Sequence, residues 1–161
     1  MGNCLSIISV NHLDEGGMTA LHQAALAGNL EKCRDLVARG ADLEITDKLA
    51  DNGGRTAVMW AAVRGHMEIV KFLAKAGADI NKGDNGGWNA LMKAACKGNL
   101  ETVQYLAEAG ADIHARDING TTAVMETASL GRLEIVKWLA EAGADINARD
   151  NGGFTAVMLA A

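Results

Sequence analysis

The sequence predicts an all-α solenoid, built from short helix–turn–helix units stacked in a row and joined by β-turn finger loops. The first observation is repetition: Asp51–Gly83, DNGGRTAVMWAAVRGHMEIVKFLAKAGADINKG, returns as Asp84–Arg116 and Asp117–Arg149 and starts again at Asp150. One fixed period of 33 residues is the signature of a stacked repeat protein. The second is punctuation, since each unit carries a capping residue, an apolar run, a glycine, a second run and another glycine. The third is the set of positions that stay apolar at that period, such as Val58, Leu91, Val124 and Val157. Such columns become core only when each helix pair stacks on the next.

Composition narrows the function. A chain of 161 residues, 49% hydrophobic and 22% charged, can form one compact domain. A net charge of −5 argues against nucleic acid, whose phosphates need a basic face. The three cysteines, Cys4, Cys33 and Cys96, are far apart and offer no converging set of metal ligands. Neither metal nor cofactor is expected, and a reducing compartment fits. No stretch reaches the roughly 18 apolar residues of a membrane span. The first cation is Lys32, so the basic n-region of a secretory signal is missing and the cytosol is the expected location.

Taken in order, residues 1–8 read as an anchor segment. Met1-Gly2-Asn3-Cys4-Leu5-Ser6 fits the N-myristoylation pattern at Gly2. A single myristoyl chain binds membranes weakly, and a palmitoylated Cys4 would supply the second signal. The alternative is an ordinary N-terminus. Residues 9–161 form the repeat domain, with units at about 14–50, 51–83, 84–116 and 117–149 and a partial unit at 150–161. Repeat two starts four residues late. Both Asp47 and Asp51 can lead it, so the extra residues, Leu49 among them, fall in a loop that either touches a partner or is merely tolerated.

Within repeat two, Thr56 is the expected N-cap, its hydroxyl oxygen accepting from first-turn amides. Helix one runs from Ala57 to Arg64 and stops at Gly65, which can adopt the left-handed conformation. Glu68, Glu101 and Glu134 fall in the first turn of helix two, where the dipole favours negative charge. Gly77, Gly110 and Gly143 end that helix, and the Asp-Asn-Gly-Gly runs are turns.

Asp51-x-x-Gly54-x-Thr56-Ala57-Val58-Met59-x-Ala61-Ala62-x-x-Gly65-His66-x-Glu68-Ile69-Val70, followed by Leu73 and Gly77-Ala78-Asp79-x-Asn81, resembles the ankyrin repeat. The resemblance runs from Ser9 to Ala161 and implies an ankyrin solenoid with a protein-binding role. Two departures matter. The signature proline is replaced by Ala20, Ala57, Ala90, Ala123 and Ala156. The signature histidine, which in the family hydrogen-bonds between neighbouring loops, survives only as His22 and becomes Met59, Met92, Met125 and Met158. Apolar packing is expected to replace those bonds.

Phe72, Tyr105 and Trp138 form a column on helix two, read as a structural ladder, with Asp35 in its place at the first repeat. The varying positions are Met18, Arg55, Trp88, Thr121 and Phe154 at the turn tips and Gln23, Trp60, Lys93, Glu126 and Leu159 on helix one. The resemblance implies that partners bind there, with contributions from Val63 and Arg64, Cys96 and Lys97, and Ser129 and Leu130. Variability within a strict repeat points the same way more weakly, as a mark of freedom from packing. The candidate partner site is therefore Arg55, Trp60, Arg64, Trp88, Lys93, Lys97, Thr121 and Glu126. Two tryptophans among four cations suggest a partner with an acidic, apolar-anchored segment. The competing reading has Trp60 and Trp88 merely covering neighbouring loops.

No nucleophile, base and orienting group recur as a set, and His12, His22, His66 and His114 each have a repeat-position explanation. Asn81 and Asn147 fit the pattern that asparaginyl hydroxylases act on in this family, but turn stabilisation accounts for both. The expected function is a non-enzymatic binding module, peripheral to the cytosolic membrane face through Gly2 and Cys4. The alternatives are the N-terminal regulatory fragment of a larger, possibly enzymatic, protein and a self-assembling structural array. The sequence reaches Ala161 inside helix one of repeat five, from which truncation or pairing with another molecule is expected.

Overall fold

A computed structural model describes residues 10–49 and 53–160. Gly2, Cys4, Asp51 and Ala161 lie outside the described residues. Nine helices occur among the described residues: α1 (Ala20–Ala27), α2 (Leu30–Ala38), α3 (Ala57–Arg64), α4 (Met67–Lys75), α5 (Ala90–Lys97), α6 (Leu100–Glu108), α7 (Ala123–Ser129), α8 (Leu133–Glu141) and α9 (Ala156–Leu159). The odd-numbered helices are the first of their repeats and the even-numbered ones the second. The architecture is the all-α solenoid of stacked helix pairs that the sequence predicts.

Local chemistry sets the helix ends. Thr19, Asn89, Thr122 and Thr155 each accept a hydrogen bond from the amide three residues ahead, satisfying one orphan donor of the first turn. Thr56 has the same extended backbone at the head of α3, but its Oγ1 is buried with no hydrogen-bond partner among the described residues. The expected helix start is correct and the expected capping bond is not. Gly28, Gly65 and Gly98 close α1, α3 and α5 in the left-handed conformation at φ 76°, 72° and 84°. Helix α7 ends earlier, at Ser129. There Thr127 stands where α3 and α5 have Ala61 and Ala94, and its Oγ1 donates back to the carbonyls of Ala123 and Val124, competition that weakens a helix.

The first helices pack on one another more closely than the second helices do. Buried alanines, among them Ala24, Ala25, Ala61, Ala62, Ala94 and Ala95, permit that approach. Met59, Met92 and Met125 fill the same layer and are fully buried, as apolar replacements for the signature histidine. Val58, Leu91 and Val124 are buried too, whereas Val157 is 69% exposed because no helix pair covers it among the described residues. Cys33, Val70 and Val103 form the expected buried column, with Val136 half-buried. Burial pushes the Cys33 thiol up to about 11, the behaviour of a core residue.

His22 makes one junction unlike the others. Its Nδ1 accepts from the Thr19 amide, and its Nε2 lies 3.0 Å from the carbonyl of Arg55 in the next repeat. That pair of contacts requires a neutral ring protonated at Nε2. At the second-helix starts, His66 Nε2 approaches the Leu26 carbonyl and Asn99 Nδ2 donates to that of Ala62. Asn81 bridges repeats as well, donating to the Gly110 carbonyl and accepting from the Asp112 amide, in keeping with a turn-stabilising role.

Candidate functional site

The site is assembled by the aspartates that open the finger loops. Asp14, Asp47, Asp84, Asp117 and Asp150 each exchange backbone hydrogen bonds that close the turn: their amides donate to the carbonyls of Met18, Arg55, Trp88, Thr121 and Phe154. Their Oδ1 atoms accept the amides of those same tip residues. At Asp14 the Met18 amide holds the carboxyl below its usual range. Repeat two is led by Asp47. Arg55 follows it by eight residues (55 − 47) where Trp88 follows Asp84 by four (88 − 84), and Arg55 still occupies the register of Trp88. Successive fingers are cross-linked by backbone bonds, from the amides of Lys48, Asn85, Ile118 and Asn151 to the carbonyls of Gly17, Gly53, Gly86 and Asn119. Close stacking leaves no room at Gly54 (φ 92°), where a Cβ would lie 2.4 Å from Asn85 Oδ1.

Because a turn occupies only one carboxylate oxygen, Oδ2 remains to face the first helices. In repeat one it accepts from Gln23 Nε2, and in repeat two from Trp60 Nε1 at 2.9 Å. In repeat three, Lys93 Nζ lies 2.5 Å from Asp84 Oδ2, an ion pair approached off hydrogen-bond angle. In repeat four the same column holds Glu126, which has no proton to give when ionised. Asp117 Oδ2 accepts instead from Trp88 Nε1 of the preceding repeat at 3.2 Å and from Asn119 Nδ2 of its own turn at 3.5 Å.

Between fingers and first helices lies a groove of about 600 Å³, lined by Arg55, Trp60, Trp88, Lys93, Lys97, Thr121 and Glu126 together with Asp84 and Asp117. Seven of the eight candidate site residues thus come together; Arg64 is exposed and does not line the groove. Arg55 covers the Trp60 ring at 4.8 Å and Lys93 covers the Trp88 ring at 4.9 Å, within cation–π range. Both tryptophans are half-buried and packed against the core. Variability here does not mean freedom from packing: the Trp88 indole bonds the finger of the next repeat and the Trp60 indole that of its own.

The groove is not a basic patch. Its cations are Arg55, Lys93 and Lys97, and its carboxylates Asp84, Asp117 and Glu126 balance them one for one. In the sequence the cations stand out and the finger aspartates read as turn residues only. A donor-capable residue recurring a fixed distance after each leading aspartate was the available signal. Burial, and then the charge of Asp117, pushes the Glu126 carboxyl up. Burial and Glu126 also push the Cys96 thiol up, which keeps it protonated and a poor nucleophile at neutral pH. The arrangement offers polar and aromatic recognition in a recess, the chemistry of a binding site.

The family model for ankyrin repeats (3 copies) matches residues 44–117 and 114–161, and the single ankyrin repeat model matches residues 16–48. Ankyrin repeats are general protein–protein interaction modules. A comparison with curated proteins found no match.

Proposed function

This chain belongs to the ankyrin repeat family, and from that premise we propose that it is a non-catalytic adaptor whose protein partner docks in the groove of repeats two to four. One observation carries the reading: the varying positions of repeats two to four, Arg55, Trp60, Trp88, Lys93, Thr121 and Glu126, line one recess of about 600 Å³. Pockets of this size, with convergent polar groups on an aromatic floor, are the usual form of a recognition site. Trp and Arg are also the residue types enriched among interface hot spots.

The test begins with affinity capture and identification of the partner by mass spectrometry. Trp88→Ala is expected to abolish its binding, and Trp138→Ala on the outer wall is expected to leave it intact at a temperature where both variants are folded. Equal loss in the two would remove the groove from the account.

The same proposal tethers the module to the cytosolic face of a membrane through Gly2 and Cys4, on the strength of the Met-Gly-x-x-x-Ser start alone. In a eukaryotic host, Gly2→Ala should release the protein from the membrane fraction and Cys4→Ser should weaken retention. A wild-type protein found wholly in the soluble fraction would end this part of the proposal.

A further inference from the structure

Taking the groove as the docking site, we infer that the partner's segment inserts a basic side chain, arginine or lysine, between Asp117 and Glu126. The repeat supplies the reasoning. In repeats one to three, Gln23, Trp60 and Lys93 bring a donor to the finger carboxylate of their own repeat. Repeat four places Glu126 there, a second carboxylate where the register calls for a donor.

Among the described residues, the Glu126 side chain accepts no hydrogen bond and pairs with no cation, although it is half-buried. A partly desolvated carboxylate without a partner is costly, and the cost rises beside a like charge. The cations nearby do not relieve it. Lys93 is paired with Asp84, Arg55 lies over Trp60, and Lys97 is exposed and forms no ion pair with either carboxylate among the described residues.

A guanidinium or ammonium entering the groove would give Glu126 the donor it lacks and offset its repulsion with Asp117. The indole of Trp88, already bonded to Asp117, would flank the incoming stem. The net charge of −5 favours the approach of a cationic segment over an acidic one.

The experiment titrates isotope-labelled protein with three pentapeptides, acetyl-Ala-Leu-X-Leu-Ala-amide, where X is Arg, Gln or Glu, and follows the indole N–H signals of Trp60 and Trp88. The arginine peptide should shift the Trp88 signal at millimolar concentration. The glutamine peptide should bind roughly tenfold more weakly, the factor a charge-assisted hydrogen bond supplies, and the glutamate peptide weaker still. Glu126→Lys reproduces the arrangement of repeat three and Glu126→Gln that of repeat one, so both variants should fold and melt no lower than wild type. Both should lose the preference for arginine over glutamine.

A glutamate peptide that binds as well as the arginine one, an arginine peptide that leaves Trp88 unmoved, or an arginine preference that survives Glu126→Lys would each overturn the inference. Partner capture lost in Trp88→Ala but kept in Glu126→Lys would remove the basic side chain and leave the groove standing.

Discussion

On the outer wall Arg34 lies over Phe72 and Lys71 over Tyr105, each cation one repeat before the ring it covers. In the groove, Arg55 lies over Trp60 and Lys93 over Trp88, cation and ring within one repeat. The same pair of residue types therefore does different things on the two sides. Outside, it staples repeat to repeat, as a solenoid whose stability rests on nearest-neighbour interfaces requires. Inside, cation and ring belong to one repeat, and it is the Trp88 indole N–H that reaches the next repeat, at Asp117, with finger carboxylates and indoles lining the groove. Aromatic content alone would not have separated wall from groove; the partner of each ring does.

The largest expected effect sharpens that contrast. Trp138 is half-buried on α8 and packs on the core, so Trp138→Ala should destabilise by about 2–3 kcal/mol, below the cost of truncating a fully buried ring. Urea unfolding measures it.

Next comes the junction between repeats one and two, where His22→Met would install the residue of the other repeats and lose the bonds to Thr19 and Arg55, at about 1 kcal/mol. This junction should also be sensitive to acid. Burial holds the His22 imidazole below its ordinary 6.5, so the unfolded chain binds the proton more readily. Stability contributed by the neutral ring is complete above that value and is lost as pH falls from 6.5 through the lowered folded value. Melting of wild type and His22→Met between pH 7 and the onset of general acid unfolding should show the extra slope in wild type alone.

A smaller gain is expected from Ala57→Pro, Ala90→Pro and Ala123→Pro. Each alanine opens a helix behind an extended residue, with ψ of 169°, 177° and 166° at Thr56, Asn89 and Thr122. That geometry accepts proline, and each change should add about 0.4–1 kcal/mol. A fall in melting temperature for all three would contradict helix starts at Ala57, Ala90 and Ala123. The smallest effect completes the outer ladder: Gln104 stands where Arg34 and Lys71 stand, and Gln104→Lys should gain about 0.5 kcal/mol by covering Trp138.

The fold was legible because period, capping residues and glycines speak through local chemistry: Gly65 and Gly98 end their helices where a left-handed residue is needed. Two details were not. Asp47 and Asp51 are chemically identical, and only the hydrogen bonds from Gly54 and Arg55 to Asp47 decide which leads repeat two. Thr56 has the residue type and backbone of an N-cap, but its hydroxyl makes no bond to the first-turn amides. For the site, the lining residues were legible and their electrostatics were not. Asp84 and Asp117 read as turn residues, since sequence does not reveal that one oxygen serves the turn and the other faces the groove.

The measurement that bears most directly on the groove is titration of the captured partner against Thr121→Arg. Residue 121 shares its register with Arg55, Trp88 and Phe154, so the fingers already accommodate a large side chain there, and arginine would project into the groove. The account predicts an unchanged melting temperature and loss of partner binding. Partner binding at wild-type affinity in that folded variant would contradict it.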